Sequence, residues 1–94
     1  MAERILLAVF AYDISSDRIR GRVARILEEL AVRVQDSVFE APMTRRRAGA
    51  LTARLEPLLD EGDSLRVYLM PRKPEVMIRA GSGSVVETGE FYLL

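Results

Sequence analysis

Apolar residues near the N-terminus form an uninterrupted run over residues 5–11, and the run is followed by Tyr12 and Asp13. The bulky and β-branched side chains, with no charge among them, predict a buried strand over about residues 4–11. A buried strand carries its last residues to the end of a sheet, where clefts form. We therefore expect Asp13 to lie at such a cleft, beside the arginine-rich segment that follows it.

A helical repeat begins directly after this strand. Ser15 or Ser16 can cap the helix by accepting a hydrogen bond from a free backbone N–H, and Asp17 in the first turn suits the helix dipole. Apolar side chains at helical spacing predict one buried stripe, made of Ile19, Val23, Ile26, Leu27 and Leu30. The opposite side of the helix is charged and carries Arg18, Arg22, Arg25 and Glu29.

Residues 31–41 contain two short extended pieces whose connection the sequence leaves open. Residues 31–35 alternate in polarity, and residues 38–41 form the second piece. Asp36 and Ser37 between them fit a tight hairpin turn, and one long bent strand is the alternative. Pro42 either ends the extended segment or lies on a sheet edge, because proline cannot donate a ladder hydrogen bond.

A second helix is predicted after Thr44, which is a good N-cap. Pro57 should kink or nearly end this helix. Its first turn holds Arg45, Arg46 and Arg47, where the helix dipole disfavours positive charge by roughly 0.3–1 kcal/mol each. We interpret these arginines as contacts to the backbone of a nucleic acid, which would make binding salt-dependent and nearly independent of base sequence. Residues 64–70 alternate in polarity and predict a last strand.

The order strand, helix, strand, strand, helix, strand predicts an α+β protein with the ferredoxin-like βαββαβ pattern. In this pattern an antiparallel sheet carries two helices on one face. We assign residues 1–70 to the core and residues 71–94 to a tail of the same single domain. The tail ends in an apolar segment, Phe91-Tyr92-Leu93-Leu94. Such a segment predicts a C-terminal strand added to a sheet edge, which we place on the partner subunit of a dimer.

Composition narrows the class of protein. A chain of 94 residues, 49% hydrophobic and 30% charged, predicts one soluble globular domain that would gain buried surface by dimerising. The sequence shows no apolar run of the roughly 18 residues that span a membrane, and no signal peptide. With Cys 0, disulfides and thiolate metal sites are excluded. These features predict a cytoplasmic protein without membrane association.

Positive charge is concentrated in the first part of the chain, although the net charge is +0. Ten arginines against seven acids give +3 for residues 1–54, and four basic against seven acidic residues give −3 for residues 55–94. Arginine recognises phosphate in a planar, bidentate way, but an arginine-favouring codon usage explains the bias equally well. Phosphate contact and a plain solvated helix face therefore remain alternatives for Arg18, Arg20, Arg22 and Arg25.

Two motifs resemble the CRISPR-associated protein 2 family. The first is Ala-Tyr-Asp-Ile-Ser at residues 11–15, before an arginine-rich helix, and the second is Arg-Val-Gln-Asp-Ser-Val-Phe-Glu at residues 33–40. The pair at this spacing is the specific signal, and residues 63–68 match the family's last core strand. Two departures are residues 29–31, where the family usually has a glycine, and Asp36, where it commonly has Tyr or Lys. The Asp36 carboxylate would weaken phosphate binding if it faced nucleic acid.

The resemblance implies a ferredoxin-like homodimer of CRISPR adaptation and a divalent-metal-dependent endonuclease acting on RNA or double-stranded DNA. It also implies a scaffold role with the adaptation integrase, in which nuclease chemistry can be dispensable. Asp13 matches the family's metal-binding, catalytic aspartate, and two-fold symmetry would let two copies share one Mg²⁺. Tyr12, Ser37 and Phe39 match positions around the family's active site.

Residue types alone leave plainer roles open. Asp13 can be a loop residue before a helix cap, and Phe39 is more simply a core residue. Tyr12, Tyr68 and Tyr92 either stack on bases or pack against sheet edges. A ferredoxin-like regulatory module that binds a small ligand is a further alternative, which the excess of arginine and the lack of a glycine-rich phosphate loop disfavour.

Overall fold

The computed structural model describes residues 3–71, which form one four-stranded sheet and two helices. The strands are β1 (Ile5–Asp13), β2 (Val32–Gln35), β3 (Val38–Thr44) and β4 (Ser64–Pro71). The helices are α1 (Asp17–Glu28) and α2 (Arg45–Leu55), and α2 continues into a 3-10 turn over Glu56–Leu58. The order of elements is the predicted one.

Neighbouring strands of the sheet are antiparallel and follow the order β2-β3-β1-β4. β1 therefore lies inside the sheet, between β3 and β4, as its uncharged sequence predicts. Both helices pack on one face of the sheet, where their apolar stripes meet alternate side chains of β1 and β3. This is the ferredoxin-like α+β arrangement, and the predicted fold class is confirmed.

β1 extends two residues beyond its predicted end at Ala11. Pairing with β4 continues through Tyr12 opposite Leu65 and Asp13 opposite Ser64. The apolar pattern of β1 gives no sign of this extension, because it depends on a strand that is distant in sequence. Asp13 is thereby the last residue of a paired strand.

The segment between the helices is a hairpin, so the alternative of one long bent strand is wrong. β2 pairs with β3, and the turn between them contains Asp36 and Ser37. β3 continues through Pro42, so the expectation that this proline ends the extended segment is also wrong. The pairing of β2 with β3 reaches only Glu40, and Pro42 therefore has Leu7 of β1 opposite it and no residue of β2. At Pro42 the side of β3 that faces away from β1 therefore has no partner strand. This proline lies at a local sheet edge, which is the other predicted position.

Both helices begin at predicted caps. Ser16, rather than Ser15, accepts a hydrogen bond from the N–H of Ile19 at 3.2 Å, and Thr44 accepts one from the N–H of Arg47 at 3.1 Å. Pro57 lies in the 3-10 turn that ends α2. The largest fully buried side chains are Phe10, Val23, Leu27, Phe39 and Leu55. Burial of each such side chain contributes about 1.5–3 kcal/mol.

The opposite face of the sheet, which we call the open face, carries no helix within residues 3–71 and is also largely apolar. A small hydrophobic cluster lies there, made of Leu7, Val9, Val38 and Met70. One row across this face runs from Val32 through Glu40 and Val9 to Tyr68. Tyr68 is 48% exposed and Val32 is 57% exposed. A sheet with apolar side chains on both faces calls for a second covering layer.

The predicted tail lies outside the described residues except for Pro71, so the division at residue 71 and the added strand stay predictions. Within residues 3–71, neither helix is long and apolar enough to cross a membrane.

Candidate nucleic-acid and metal site

Asp13 lies at the end of the central strand, where the chain leaves the sheet. It alternates along β1 with Leu7, Val9 and Ala11, which places it on the open face, and its side chain is exposed. The next residue, Ile14, is only 4% exposed and anchors the connection to α1 in the core. Asp13 is thus an accessible carboxylate on a rigid strand end.

On the helix side of the sheet, a pocket of about 280 Å³ opens between β1, α1 and the hairpin turn. We call it the Tyr12 pocket, and its lining residues are Tyr12, Arg20, Gly21, Ala24, Arg33, Asp36 and Ser37. Three predicted site residues, Tyr12, Arg20 and Ser37, therefore meet here. Asp13 lies at the same end of the sheet but on the other face.

The Tyr12 side chain ties β1 to the hairpin turn. Its hydroxyl donates to the carbonyl oxygen of Asp36 at 3.1 Å, and its backbone N–H donates to the carbonyl oxygen of Ser37 at 3.0 Å. Burial raises the pKa of the phenol above its ordinary value, so the hydroxyl stays protonated and donating at neutral pH. Its ring stacks against that of Phe39, with centroids 6.3 Å apart. Both rings are buried in the core, which is the plainer role predicted for Phe39. Tyr12 packs there on the central strand, and not against a sheet edge as its plainer alternative predicted.

Two guanidinium groups are held at the rim of the Tyr12 pocket. Arg20 donates to the carbonyl oxygen of Ile14 at 2.9 Å. Arg33 donates to the carbonyl oxygen of Asp36 at 3.0 Å, and its guanidinium carbon lies 4.9 Å from the centroid of the Phe39 ring. Each guanidinium has five N–H donors, so both keep donors available for a phosphate.

Asp36 brings negative charge to this pocket. Its side chain is exposed, and the residue lines the pocket beside Arg20 and Arg33. Because its carbonyl oxygen accepts from both Tyr12 and Arg33, the backbone at Asp36 is fixed in place. A carboxylate here reduces the attraction of the pocket for phosphate.

The other predicted arginines form two separate groups. Arg18 and Arg22 are exposed on the first turns of α1, at the Asp13 end of the sheet. Arginines 45–47 begin α2 after the end of β3, which pairs with Ile5 at the opposite end of β1. Ile5 is eight residues from Asp13, or roughly 27 Å at about 3.4 Å per residue. The predicted nucleic-acid contacts are therefore not brought together in one cluster.

The predicted arginines also differ in their ion pairs. Arg20 pairs with Asp17, and Arg46 pairs with Glu3. The remaining four make no ion pair within residues 3–71, namely Arg18, Arg22, Arg45 and Arg47. Their charges are available to an anionic partner.

The fit of a divalent cation depends on the oxygen ligands near Asp13. In the part of the chain that the structure describes, no three His, Cys, Asp or Glu side chains are grouped as a metal cluster would require. The exposed Asp13 carboxylate would be one oxygen ligand, which suits a Mg²⁺ ion that keeps several waters as ligands. A second copy of Asp13 across a two-fold axis would double the number of carboxylates. An exposed carboxylate is thus a ligand of the type that Mg²⁺ binds.

Two residues near the site were not predicted as site residues. Arg33 is the first residue of the motif at residues 33–40, but nothing in that motif indicates that its guanidinium lies over the Phe39 ring. Asp63 accepts a hydrogen bond from the backbone N–H of Ser15, so it contacts the segment after Asp13. The feature of the sequence that could have indicated Asp63 is the turn-like run at residues 60–63, of which it is the last residue.

Comparison with known sequences identifies the family. The family model for CRISPR associated protein Cas2 matches residues 6–77. A CRISPR-associated endoribonuclease Cas2 of Thermus thermophilus is 44% identical over 77 residues, which cover 81% of this chain and 80% of the relative. A CRISPR-associated endoribonuclease Cas2 of Mycobacterium tuberculosis is 34% identical over 86 residues, covering 92% of this chain and 75% of the relative.

Solved structures agree in fold. A hypothetical protein from Thermus thermophilus superposes with a TM-score of 0.75 at 35% identity, covering 86% of this chain and 96% of its own. A Cas2 crystal structure superposes with a TM-score of 0.74 at 27% identity, covering 89% of this chain and 97% of its own. Since the family model matches most of the sequence and the fold is shared, this chain belongs to the CRISPR-associated Cas2 family.

Proposed function

We propose that this chain is a metal-dependent endonuclease of CRISPR adaptation that hydrolyses phosphodiester bonds of RNA or double-stranded DNA. The observation that carries the proposal is the exposed Asp13 carboxylate at the end of the central strand, followed directly by an arginine-rich helix. The relatives from Thermus thermophilus and Mycobacterium tuberculosis are named endoribonucleases, and a further Thermus relative is named an endonuclease. Such an enzyme meets its substrate in the cytoplasm, where we place the protein.

The side chains at this end of the sheet suit a nucleic acid in charge, with Asp13 on the open face and Arg20 and Arg33 in the Tyr12 pocket on the helix side. Asp13 would hold the divalent cation, whose bound charge polarises the phosphodiester. Arg20 and Arg33 offer planar sets of donors that match phosphate oxygens. Contact with the Phe39 ring restricts the Arg33 guanidinium, so its donors are oriented before the substrate arrives.

Removal of the cation should stop cleavage and leave binding intact. Labelled RNA and duplex DNA are each incubated with the protein in Mg²⁺ and in excess EDTA, and the products are separated on denaturing gels. We expect cleavage in Mg²⁺ only, and fluorescence anisotropy should still show binding in EDTA because the arginines need no cation. Cleavage that persists in EDTA would contradict the proposed mechanism. Binding without cleavage of either nucleic acid would favour the scaffold described below.

The open face supports a homodimer. Val9, Val32 and Tyr68 lie in one row on this face, and no helix within residues 3–71 covers it. Val9 and Glu40 are already buried within the chain, whereas Val32 and Tyr68 at the two ends of the row are exposed. Two copies packed through their open faces would bury these exposed ends and bring equivalent residues toward a common axis. We further propose that the tail over residues 71–94 adds a strand to the partner subunit.

A non-catalytic scaffold is the second candidate, and the position of arginines 45–47 favours it. They lie roughly 27 Å along the sheet from Asp13, too far to act on the same phosphodiester bond. This separation corresponds to about eight base pairs at about 3.4 Å each, so both ends of the sheet can contact one duplex. In this role the dimer would hold DNA for the adaptation integrase, which we propose binds the tail.

Replacing Arg45, Arg46 and Arg47 together by glutamine should weaken duplex binding and stabilise the fold. The slope of log affinity against log salt should become shallower by about 2.7, because each lost phosphate contact accounts for about 0.9. Removal of positive charge from the first turn of α2 relieves repulsion from the helix dipole by roughly 0.3–1 kcal/mol per residue. Loss of the ion pair between Arg46 and Glu3 offsets only part of this gain, because the Arg46 side chain is exposed.

The salt slope is measured by fluorescence anisotropy and the stability by urea denaturation. Arg54→Gln is the matched control, since Arg54 lies in the last turn of the same helix and pairs with Glu29. A triple variant with the salt slope of the wild type would show that these arginines do not contact phosphates.

A further inference from the structure

A tight turn precedes β4 and places Asp63 toward the segment that follows Asp13. The N–H of Asp63 donates to the carbonyl oxygen of Asp60 at 3.0 Å, which closes the turn. Gly62, the third residue of the turn, has a φ of 90°, and no non-glycine residue within 3–71 has a positive φ, so the turn is of type II. Glycine adopts this conformation without strain. The turn thus has a defined geometry and sets the direction in which the chain continues at Asp63.

Both carboxylate oxygens of Asp63 accept backbone hydrogen bonds. Oδ2 accepts from the N–H of Asp60 at 2.9 Å, inside the turn. Oδ1 accepts from the N–H of Ser15 at 3.3 Å, across a separation of 48 residues in sequence. One side chain therefore joins the turn before β4 to the connection between β1 and α1.

The three residues of that connection are held in different ways. Ile14 and Ser16 are fixed by α1, since Arg20 of this helix donates to the carbonyl oxygen of Ile14 and Ser16 caps its first turn. Ser15 is fixed from the β4 side, through Asp63. Ile14 also packs in the core cluster to which side chains of β4 belong, whereas the link from Asp63 to Ser15 is a hydrogen bond.

We infer that Asp63 is a positioning residue for Asp13, an inference that rests on the proposed role of Asp13 as cation ligand. Asp13 pairs with Ser64, the neighbour of Asp63, so the strand pairing and the carboxylate act on adjacent positions. Loss of the carboxylate would release Ser15 and let the end of β1 move. A displacement of about 1 Å at a reacting group can cost on the order of 100-fold in rate.

Two substitutions and a control test the inference. Asp63→Ala removes both acceptors, and Asp63→Asn keeps one oxygen. Glu61→Gln changes an exposed carboxylate of the same turn that makes no hydrogen bond or ion pair within residues 3–71. The amide of Ser15 should exchange its hydrogen about tenfold faster in Asp63→Ala, roughly the effect of one lost hydrogen bond. The exchange rate of the Ser15 amide should be intermediate in Asp63→Asn and unchanged in Glu61→Gln. The amide NMR signal of Asp13 should shift most in Asp63→Ala, less in Asp63→Asn and not at all in Glu61→Gln.

Kinetics separate positioning from a purely structural role. In Asp63→Ala, kcat should fall on the order of tenfold while KM changes less than about twofold, because the arginines that bind substrate are untouched. Urea denaturation verifies that each variant is folded. Unchanged Ser15 exchange with an unchanged Asp13 signal would overturn the inference, and so would full kcat despite faster exchange. A wild type that does not cleave defeats the nuclease proposal alone, and the exchange and NMR results then decide the role of Asp63.

Discussion

Replacing Asp13 by alanine should reduce cation-dependent cleavage by about 100-fold or more and leave the fold intact. A cation that polarises a phosphodiester lowers the activation free energy of cleavage by several kcal/mol, and each decrease of roughly 1.4 kcal/mol raises the rate tenfold. The Asp13 side chain is exposed and makes no hydrogen bond within residues 3–71, so the free energy of unfolding should change by less than about 0.5 kcal/mol. Single-turnover cleavage and urea denaturation measure the two quantities.

Binding should respond differently from cleavage. Loss of one negative charge near the arginines of α1 lowers the repulsion of phosphates, so the affinity for duplex DNA in EDTA should be unchanged or higher. Asp13→Asn keeps the size of the side chain and should lose cleavage equally, whereas Glu61→Gln should behave as wild type. Cleavage at the wild-type rate in Asp13→Ala would contradict the proposed role of the carboxylate. Weaker duplex binding in that variant would indicate damage to the site rather than loss of the cation.

The sequence predicts the elements of this fold better than their ends, and two strands show why. The caps at Ser16 and Thr44 and the apolar stripes of the helices are local signals, and the helices they predict are present. The extension of β1 to Asp13 depends on pairing with β4, and the passage of β3 through Pro42 depends on where β2 stops. Both depend on contacts between distant segments, which a local pattern of polarity does not contain.

The residues of the candidate site likewise divide into those that a local sequence pattern reveals and those that depend on contacts between distant segments. Asp13 could be found because the strand before it is a clear apolar run that ends in a carboxylate. The arginines of α1 and α2 look alike in sequence, but the two helices begin at opposite ends of the sheet because β1 and β3 are antiparallel. The contact of Asp63 with Ser15 joins residues 48 apart, so no motif could reveal it.

Replacing Tyr68 by glutamate should raise the dissociation constant of the proposed homodimer by about 100-fold or more. Tyr68 is 48% exposed on the open face and lies in the same row as Val9 and Glu40. A dimer formed through this face would have to bury two new carboxylates near two copies of Glu40, and an unpaired buried charge costs several kcal/mol. Because Tyr68 is on the edge strand β4 and half exposed, the protomer itself should still fold.

Ala53→Glu is the control for adding a carboxylate, because Ala53 is an exposed apolar residue of α2, on the helix side of the sheet. Light scattering and sedimentation velocity should show a monomer for Tyr68→Glu and a dimer for Ala53→Glu. If two copies of Asp13 hold one cation, the monomer should also lose cleavage while the control keeps it, and raising the protein concentration should restore both dimer and cleavage together. A Tyr68→Glu protein that remains dimeric would place the interface elsewhere. A Tyr68→Glu monomer that cleaves at the wild-type rate would show that the Asp13 carboxylate of one protomer is sufficient for cleavage.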